Sequence, residues 1–552
     1  MMLRVYADRM SQPSRAIVIF CKVNGIDFEE VRIDIVKRQH LSPEFKEINP
    51  MGQVPAIVDG RFKLFESHAI LSYLSCAFPG VPDHWYPADL FTRAKIQSIL
   101  DWHHSNLRRG ASTFVLNRAL GPGLGLPLNP QAANEAEKIL RASLSKIESL
   151  WLKGNAKFLS GNFQPSIADL SLVCEIMQLE VVDEKDRDRI LGPHPRILQW
   201  IENVKSATSP HFEEVHGFLY KKRTTVIKVL EASSKIGTKR SVVKLCFYSK
   251  KIRKTKNGDR PRTRKSPLTV GWSLIQLRIS YLQCTHTEYR RGEVKRDDAE
   301  GVWSSAVAAV AGDYNLLQVI FPNIFVFVFR LDASRFYVGV FLANGIDFEE
   351  VTIDFTTGKH RLPDFKEINP MAEVPGIVHG DLKLFESHAI LCYLASAFPG
   401  VPDHWYPADI VSRAKIQSIL DWHHSNLRRG ALNYCINSAL GPVRSLPLNP
   451  QAAIEDEKIL SASLSKLESV WLKGDAKFLL GNFQPSVADL SLACEIMQLE
   501  VVDKKDRERI LGPHPKILEW IDNVKSATSP HFVEVHEHLQ EVKARIALLK
   551  AA

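Results

Sequence analysis

Residues Ile48–Leu74 read INPMGQVPAIVDGRFKLFESHAILSYL. Asn49-Pro50 is a turn signal, and Val54-Pro55-Ala56-Ile57-Val58 is a short strand. Asp59-Gly60 is a two-residue hairpin signal, and Phe62, Leu64 and Phe65 begin the returning strand. Glu66-Ser67 stands just ahead of an apolar helical run, Ala69, Ile70, Tyr73 and Leu74, which makes Ser67 the expected N-cap. Pro55 cannot donate to a ladder, and its peptide bond is a candidate for cis. The Val54 backbone is then left to pair with a peptide-like ligand, while the nearby helix start can hold a carboxylate. Strand edge, proline and helix start together predict a site for a short anionic peptide.

Upstream, Leu3–Ala7 alternates like a strand, and Ser11-Gln12-Pro13-Ser14 leads into a helical run through Ala16, Ile17, Ile19, Phe20 and Val23 that stops at Asn24-Gly25. Ser14 is the expected cap of that helix. Phe28–Ile33 reads as a second strand and Pro43–Ile48 as a short helix or turn. Strand, helix, strand, hairpin and helix within residues 1–80 make a thioredoxin-like α/β layer. Beyond the prolines at 79, 82 and 87 the pattern is all-helical. Leu90–Leu120 reads as one long helix, Gln131–Trp151 as another opened by Asn129-Pro130, and Arg196–Val204 as the last. Ser166 and Asp169 form a capping box with Asp in place of the usual Glu or Gln.

The organising stretch returns as Ile368–Leu394, INPMAEVPGIVHGDLKLFESHAILCYL, at an offset of 320 residues. Asn24 matches Asn344, Trp102 matches Trp422 and Asp169 matches Asp489 without a gap. A unit of this size is too long for a solenoid repeat, so a whole protein is duplicated in tandem. The expected layout is an α/β domain at 1–80, a helical domain at 89–222, a basic linker at 223–322, a second α/β domain with a degenerate start at 323–400 and a second helical domain at 409–545.

With 552 residues, 45% of them hydrophobic and 24% charged, the chain has the composition of a soluble multidomain protein. The run Val319–Phe329 is too short to span a membrane and contains Pro322 and Asn323. The N-terminus lacks the apolar core of a secretory signal, so a cytoplasmic address is expected, with the nucleus as the alternative. The eight cysteines include no C-x-x-C pair, and Cys174 and Cys494 fall in helical patterns as buried thiols. Neither disulfides nor a metal are expected. The net charge of +9 is local: residues 221–300 hold 22 Lys and Arg against 7 Asp and Glu, which leaves the remainder near −6. Within that segment Lys250–Lys265, KKIRKTKNGDRPRTRK, is either a nuclear-import or nucleic-acid patch or a solvated disordered linker. A third reading is non-coding sequence translated between two adjacent genes. Nucleic acid is not the expected partner.

The motifs MSQPSRA, QVPAI, FESHAI, WHHSNLRRGA and PSIADLSL, in this order and seen twice in part, resemble those of cytosolic glutathione transferases of the plant theta class. The resemblance covers about 1–222 and, in the second copy, about 335–545. It implies glutathione as co-substrate, hydrophobic electrophiles and organic hydroperoxides as second substrates, and a two-fold dimer. Here the dimer would be an intramolecular pseudo-dimer or a homodimer. It also implies Ser11 as the catalytic group, since theta enzymes use a serine where other classes use tyrosine. The residue chemistry agrees: a hydroxyl just ahead of a helix can donate to a sulfur anion, and the helix start adds partial positive charge. Glu66 can take the γ-glutamyl ammonium, and Ser67 with the helix start the γ-glutamyl carboxylate. Val54 can pair with the cysteinyl unit, and His40 and Gln53 can reach the glycyl carboxylate. The family pattern adds Gln12 and Leu41 as neighbours. Arg108 and Arg109 read equally as helpers for an anionic substrate or as an exposed helix face.

The second copy departs where it matters. Ser11, Gln12 and Pro13 correspond to Leu331, Asp332 and Ala333, and Gln53 to Glu373, which would repel the glycyl carboxylate. His360, Val374, Glu386 and Ser387 remain, so a weaker glutathione site is expected there with Glu373 in it. The leading expectation is an active first copy and an impaired second. The alternatives are a non-catalytic binding or scaffold protein on the same fold, or a nuclear-associated transferase working through the basic linker.

Overall fold

A computed structural model describes residues 2–223, 324–329, 344–353, 358–444, 446–481 and 483–551. Leu331, Asp332, Ala333, Ser334 and the basic run Lys250–Lys265 lie outside the described residues. In the first copy, β1 (Leu3–Ala7) runs parallel to β2 (Phe28–Arg32) and antiparallel to β3 (Ala56–Asp59), which pairs with β4 (Phe62–Phe65) in the order β2-β1-β3-β4. A parallel pair needs a crossover, which α1 (Gln12–Val23) supplies, and the short α2 (Pro43–Lys46) follows β2. Residues Pro13–Cys21 of α1 are all buried, and Gly25 at φ +62° ends that helix. The hairpin turn is Gly60-Arg61, one step later than expected, because Asp59 is still paired with Phe62. The Tyr73 hydroxyl donates to Asp59 Oδ2 at 2.7 Å and ties this hairpin to α3 (Ser67–Ala77).

Several expected helix boundaries change. The Leu90–Leu120 run is not one helix: α4 (Leu90–Ser105) breaks at Asn106, φ −113° and ψ −88°, before α5 (Leu107–Val115) and a wider turn over Leu116–Leu120. The Asn106 side-chain amide donates to the Trp102 carbonyl at 3.0 Å, competing with the backbone for it. The counterpart Ile410–Leu440 breaks at Asn426 in the same way. α6 (Pro130–Lys146), capped by Asn129, crosses α5 closely: a Cβ on Gly110 would stand 2.6 Å from the Leu140 backbone nitrogen. That approach explains the glycine of LRRG, and Gly430 against Leu460 repeats it. α7 (Ile167–Ile176) starts with the expected capping box. The Asp169 carboxylate accepts from Leu159 N–H, Ser166 N–H, Ser166 Oγ and Trp200 Nε1, all within 2.8 Å. After α8 (Glu184–Leu191), the helix expected to be last extends as α9 (Pro195–Thr208), and residues 211–223 form a further helix.

The second copy repeats the sheet as β6-β5-β7-β8, with β5 at Ile324–Phe329, β6 at Glu349–Ile353, β7 at Gly376–His379 and β8 at Leu382–Phe385. The gapless offset fails in β5. Val5 faces Glu30 and Ile57, whereas Val326, not Phe325, faces Glu350 and Ile377. The first strand is therefore one residue out of step with everything after it. In β1 the adjacent residues Val5, Tyr6 and Ala7 are all buried. A central strand covered on both faces lacks the in/out alternation that would fix its register from sequence.

The two copies pack on each other within one compact unit. α3 lies against Ile410–Ser425, the counterpart of α4, and α4 lies against Ser387–Ala397, the counterpart of α3. Ala94 belongs to the apolar core of the second copy and Ala414 to that of the first. Lys146 Nζ donates to Pro370 O at 2.5 Å, and Lys466 Nζ to Pro50 O at 2.6 Å. At the centre the His104 and His424 rings stack, with centroids 5.2 Å apart. These reciprocal contacts are those of an isologous interface. Among the described residues no helix is long and apolar enough to cross a membrane.

Candidate functional site

The loop between β1 and α1 is held from below by Arg15, a fully buried residue of α1. Its guanidinium donates to the carbonyls of Arg9 (3.0 Å) and Met10 (3.1 Å), to Cys174 O of α7 (3.0 Å) and to Gln178 Oε1 (2.8 Å). Ser11 follows this loop at the N-cap of α1 with φ −78° and ψ 125°, yet its side chain makes no capping hydrogen bond. Its backbone N–H donates to Asp8 O at 2.8 Å, and its carbonyl accepts from Arg15 N–H at 3.1 Å. Ser14, the expected cap, lies inside the helix and is buried.

Ser11 and Gln12 share one cavity of about 1040 Å³ with His40, Leu41, Gln53, Val54, Glu66 and Ser67. All eight first-copy residues singled out from the sequence thus come together, from four separate segments. His40 and Leu41 sit on a single turn, Gln39–Leu41, after Arg38 at φ +59°. Burial, with Arg38 adding to it, holds the His40 imidazole below its ordinary pKa. The Val54–Pro55 bond is cis, and pairing in β3 starts only at Ala56, so the Val54 backbone stands outside the ladder. Gln53 O accepts from Asn49 Nδ2 at 2.6 Å.

Glu66, not Ser67, occupies the N-cap of α3; Ser67 is the first helical residue. Glu66 holds φ +68°, a conformation unfavourable for a residue with a side chain, and Glu386 repeats it at the same angle. Burial pushes the Glu66 carboxyl up to about 7, with Asp421 adding and His104 and Arg108 opposing. The helix start is also shared: Asp421 of the second copy accepts from Ala69 N–H at 2.9 Å. An incoming carboxylate therefore meets a helix start that already holds one anion.

Three features escaped the sequence reading. Glu175 is buried, accepts from Gln12 Nε2 (3.1 Å) and Arg108 Nη1 (2.9 Å), and lies 3.6 Å from His103 Nε2. Burial alone would raise its pKa, but Arg108 and His103 outweigh it and hold the carboxyl below the ordinary value. Arg108 is thus an ion-paired wall of the cavity, whereas Arg109 is exposed. Ser425, Asn426 and Arg429 of the second copy complete the wall, which only the packing of the copies brings about. Arg15 stands within MSQPSRA, but a charge inside an apolar helical run gives no hint of its four partners.

In the second copy His360 is buried beside Arg361, with their Nε2 and Nε atoms 3.2 Å apart. Ser387 again begins a helix after Glu386, whose carboxyl burial pushes up to about 8, with Glu373 adding to it. Val374–Pro375 is cis, and Glu373 O accepts from Asn369 Nδ2 at 2.5 Å. The buried thiols behave as expected: burial pushes Cys174 up to about 12 and Cys494 well above its ordinary value.

Two family models each match the chain twice. The glutathione S-transferase N-terminal domain matches residues 1–75 and 325–396, and the glutathione S-transferase C-terminal domain matches 130–203 and 451–523. Glutathione S-transferase T1 of Arabidopsis thaliana is 71% identical over 221 residues, which are 40% of this chain and 90% of that relative. Glutathione S-transferase T2 of the same plant is 64% identical over 245 residues, 44% of this chain and 42% of the relative. The solved structure of human glutathione transferase theta-2, a complex with glutathione and an unknown ligand, is 33% identical with a TM-score of 0.38; the match covers 41% of this chain and 90% of that one.

Proposed function

Since the chain belongs to the glutathione S-transferase family, theta class, and carries its two-domain unit twice, we propose that the first copy conjugates glutathione to hydrophobic electrophiles through Ser11. A free cysteinyl thiol has a pKa of about 8.5, so at neutral pH most of the nucleophile is protonated. The Ser11 hydroxyl donates to the thiolate, and the positive end of α1 stabilises the same charge. The observation that carries this reading is that Ser11 stands at a helix N-cap without capping it, so its hydroxyl is not spent on the backbone.

The remaining groups bind and orient. Glu66 takes the γ-glutamyl ammonium, giving up its proton as it does so. Ser67 Oγ and the free N–H groups at the start of α3 take the carboxylate beside it. Val54 pairs main chain to main chain with the cysteinyl unit. His40, Leu41 and Gln53 close over the glycyl end, and Gln12 is anchored on Glu175. The cavity volume left over suits an apolar second substrate. The same thiolate reduces an organic hydroperoxide: sulfur attacks the peroxide oxygen, an alcohol leaves, and a second glutathione converts the sulfenic product to the disulfide and water.

The second copy retains His360, Val374, Glu386 and Ser387 and carries Glu373 where the first has Gln53. It acts as a weak binding unit and as the structural mate of the first, the two forming an intramolecular pseudo-dimer. The reciprocal lysine–carbonyl bonds support this, as does Arg429 at the first cavity. Steady-state conjugation of an aryl halide and reduction of cumene hydroperoxide, each in the Ser11→Ala chain, test the assignment. Loss of both activities with glutathione binding retained supports it; turnover unchanged by the substitution removes Ser11 from the mechanism.

A further inference from the structure

The packing of the copies brings His68 and His104 of the first beside Asp421 of the second, and His388 and His424 of the second beside Asp101 of the first. In each triad three residues offer one ligand atom apiece, all within 4.8 Å of one another. We propose that each triad is a binding site for a divalent transition-metal ion of the zinc type, held by two imidazoles and a carboxylate across the junction.

The geometry is nearly that of a ligand set. His104 Nε2 stands 3.5 Å from Asp421 Oδ1, and His424 Nε2 stands 3.6 Å from Asp101 Oδ1. Bonds of 2.0–2.1 Å in a tetrahedron separate neighbouring ligand atoms by about 3.3 Å, so this edge is already formed. The third ligand must move in by about an ångström to complete the site. The orientation of the His68 ring suits it. Nε2 is engaged with Ser171 Oγ (2.9 Å) and His103 Nδ1 (3.1 Å), so a proton there leaves the lone pair on Nδ1. His388 is engaged in the same way by Ser491 Oγ (3.0 Å) and His423 Nδ1 (3.0 Å).

These atoms have no other work. Nδ1 of His68 and of His388, and Nε2 of His104 and of His424, are buried without a hydrogen-bond partner. The four histidine side chains are all at least nine-tenths buried. Unpaired buried nitrogens cost stability, and four of them at one junction ask for a ligand. The charge also fits. Burial keeps His68, His388 and His424 neutral, with lone pairs free. Hard cations such as magnesium prefer all-oxygen shells, so the imidazoles select zinc, cobalt or nickel. His68 and His104 line the large cavity, which gives the first triad an entry path.

The test is titration of the full chain, stripped with a chelator, with cobalt(II). The d–d absorption of low-symmetry cobalt and calorimetric stoichiometry are read together, and zinc serves as competitor. Two equivalents with visible bands are expected. Asp421→Asn keeps the shape and still accepts from Ala69 N–H, so it spares the packing; it should lose one equivalent or weaken it about 100-fold. Asp101→Asn should do the same to the other. Zinc should raise the thermal midpoint of the parent chain and not that of the double variant. Cobalt binding that both substitutions leave unchanged, or spectra of octahedral surface ions only, overturns the proposal. So does the absence of any zinc-dependent shift in the midpoint.

Discussion

Arg15→Met removes the side chain that fixes the loop carrying Ser11, and its cost follows from the four bonds of the guanidinium. A fully buried cation without a directly paired carboxylate is expensive: burial lowers the Arg15 pKa against weaker opposing effects from Cys174, Glu175, Tyr220 and Asp8. Replacing a buried charge by an apolar chain of similar length therefore recovers part of what is lost. What is lost is unequal. Cys174 O lies in the last turn of α7 and loses a charge-assisted donor at 3.0 Å. Arg9 and Met10 are part-exposed, so water can reach their carbonyls. Gln178 is buried to 1% exposure, and its Oε1 would be orphaned outright. Orphaning a buried acceptor costs about 1–3 kcal/mol, and loss of charge-assisted bonds to the loop adds about 1 kcal/mol more. The expected destabilisation of the first copy is about 2–4 kcal/mol in urea titration. Because the loop then relaxes, kcat for conjugation should fall about 10- to 100-fold. KM for glutathione should change less, since Val54 precedes β3 and Glu66 and Ser67 stand at the start of α3, away from the β1–α1 loop. Arg15→Lys, with three donors in place of five, should fall between. A stability change under about 1 kcal/mol together with an unchanged kcat would refute this account of how the loop is held.

Four further outcomes are expected. Ser11→Ala lowers kcat about 100-fold with glutathione affinity kept, and the turnover that remains in the full chain sets an upper bound on the second copy. In chelator-treated protein, affinity for S-methylglutathione falls about tenfold per unit as pH drops below about 7, because Glu66 must be ionised to take the ammonium. Glu66→Gln should flatten that slope; His40, held below its ordinary range, gains charge only at lower pH and acts with the opposite sign on anion binding. Asp169→Asn turns a donor toward the cluster of donors around the carboxylate and costs about 2–4 kcal/mol by denaturant titration, whereas Asp183→Asn at the exposed cap of α8 costs less than 1.5. Light scattering behind size exclusion should give a mass near the 62.3 kDa of one chain; twice that at low micromolar concentration rules out the intramolecular pairing.

The local order of elements was legible in the sequence because each is written in short-range chemistry. The proline ahead of β3, the glycine of its turn, the Ser166–Asp169 box and the apolar periods of the helices state their own conformations. Of the expected first-copy site residues, Ser11, Val54, Glu66 and Ser67 were read from strand ends and helix starts, whereas His40, Leu41, Gln12 and Gln53 rested on the family resemblance; the structure adds that all eight line one cavity. Tertiary structure alone decided the rest. The register of β5 moved by one because its all-apolar run IFVFVF has no polar alternation to hold it in place. Glu66 rather than Ser67 took the N-cap because the end of β4 and the start of α3 force a left-handed residue between them. The break at Asn106 turned on a side-chain amide competing for one carbonyl. The four partners of Arg15, the Asp421 carboxylate on the start of α3, Arg429 at the first cavity and the two Asp–His triads all join residues far apart in the chain. No local pattern encodes those contacts; they exist only once burial has brought the two copies face to face and removed the water that would otherwise have satisfied them.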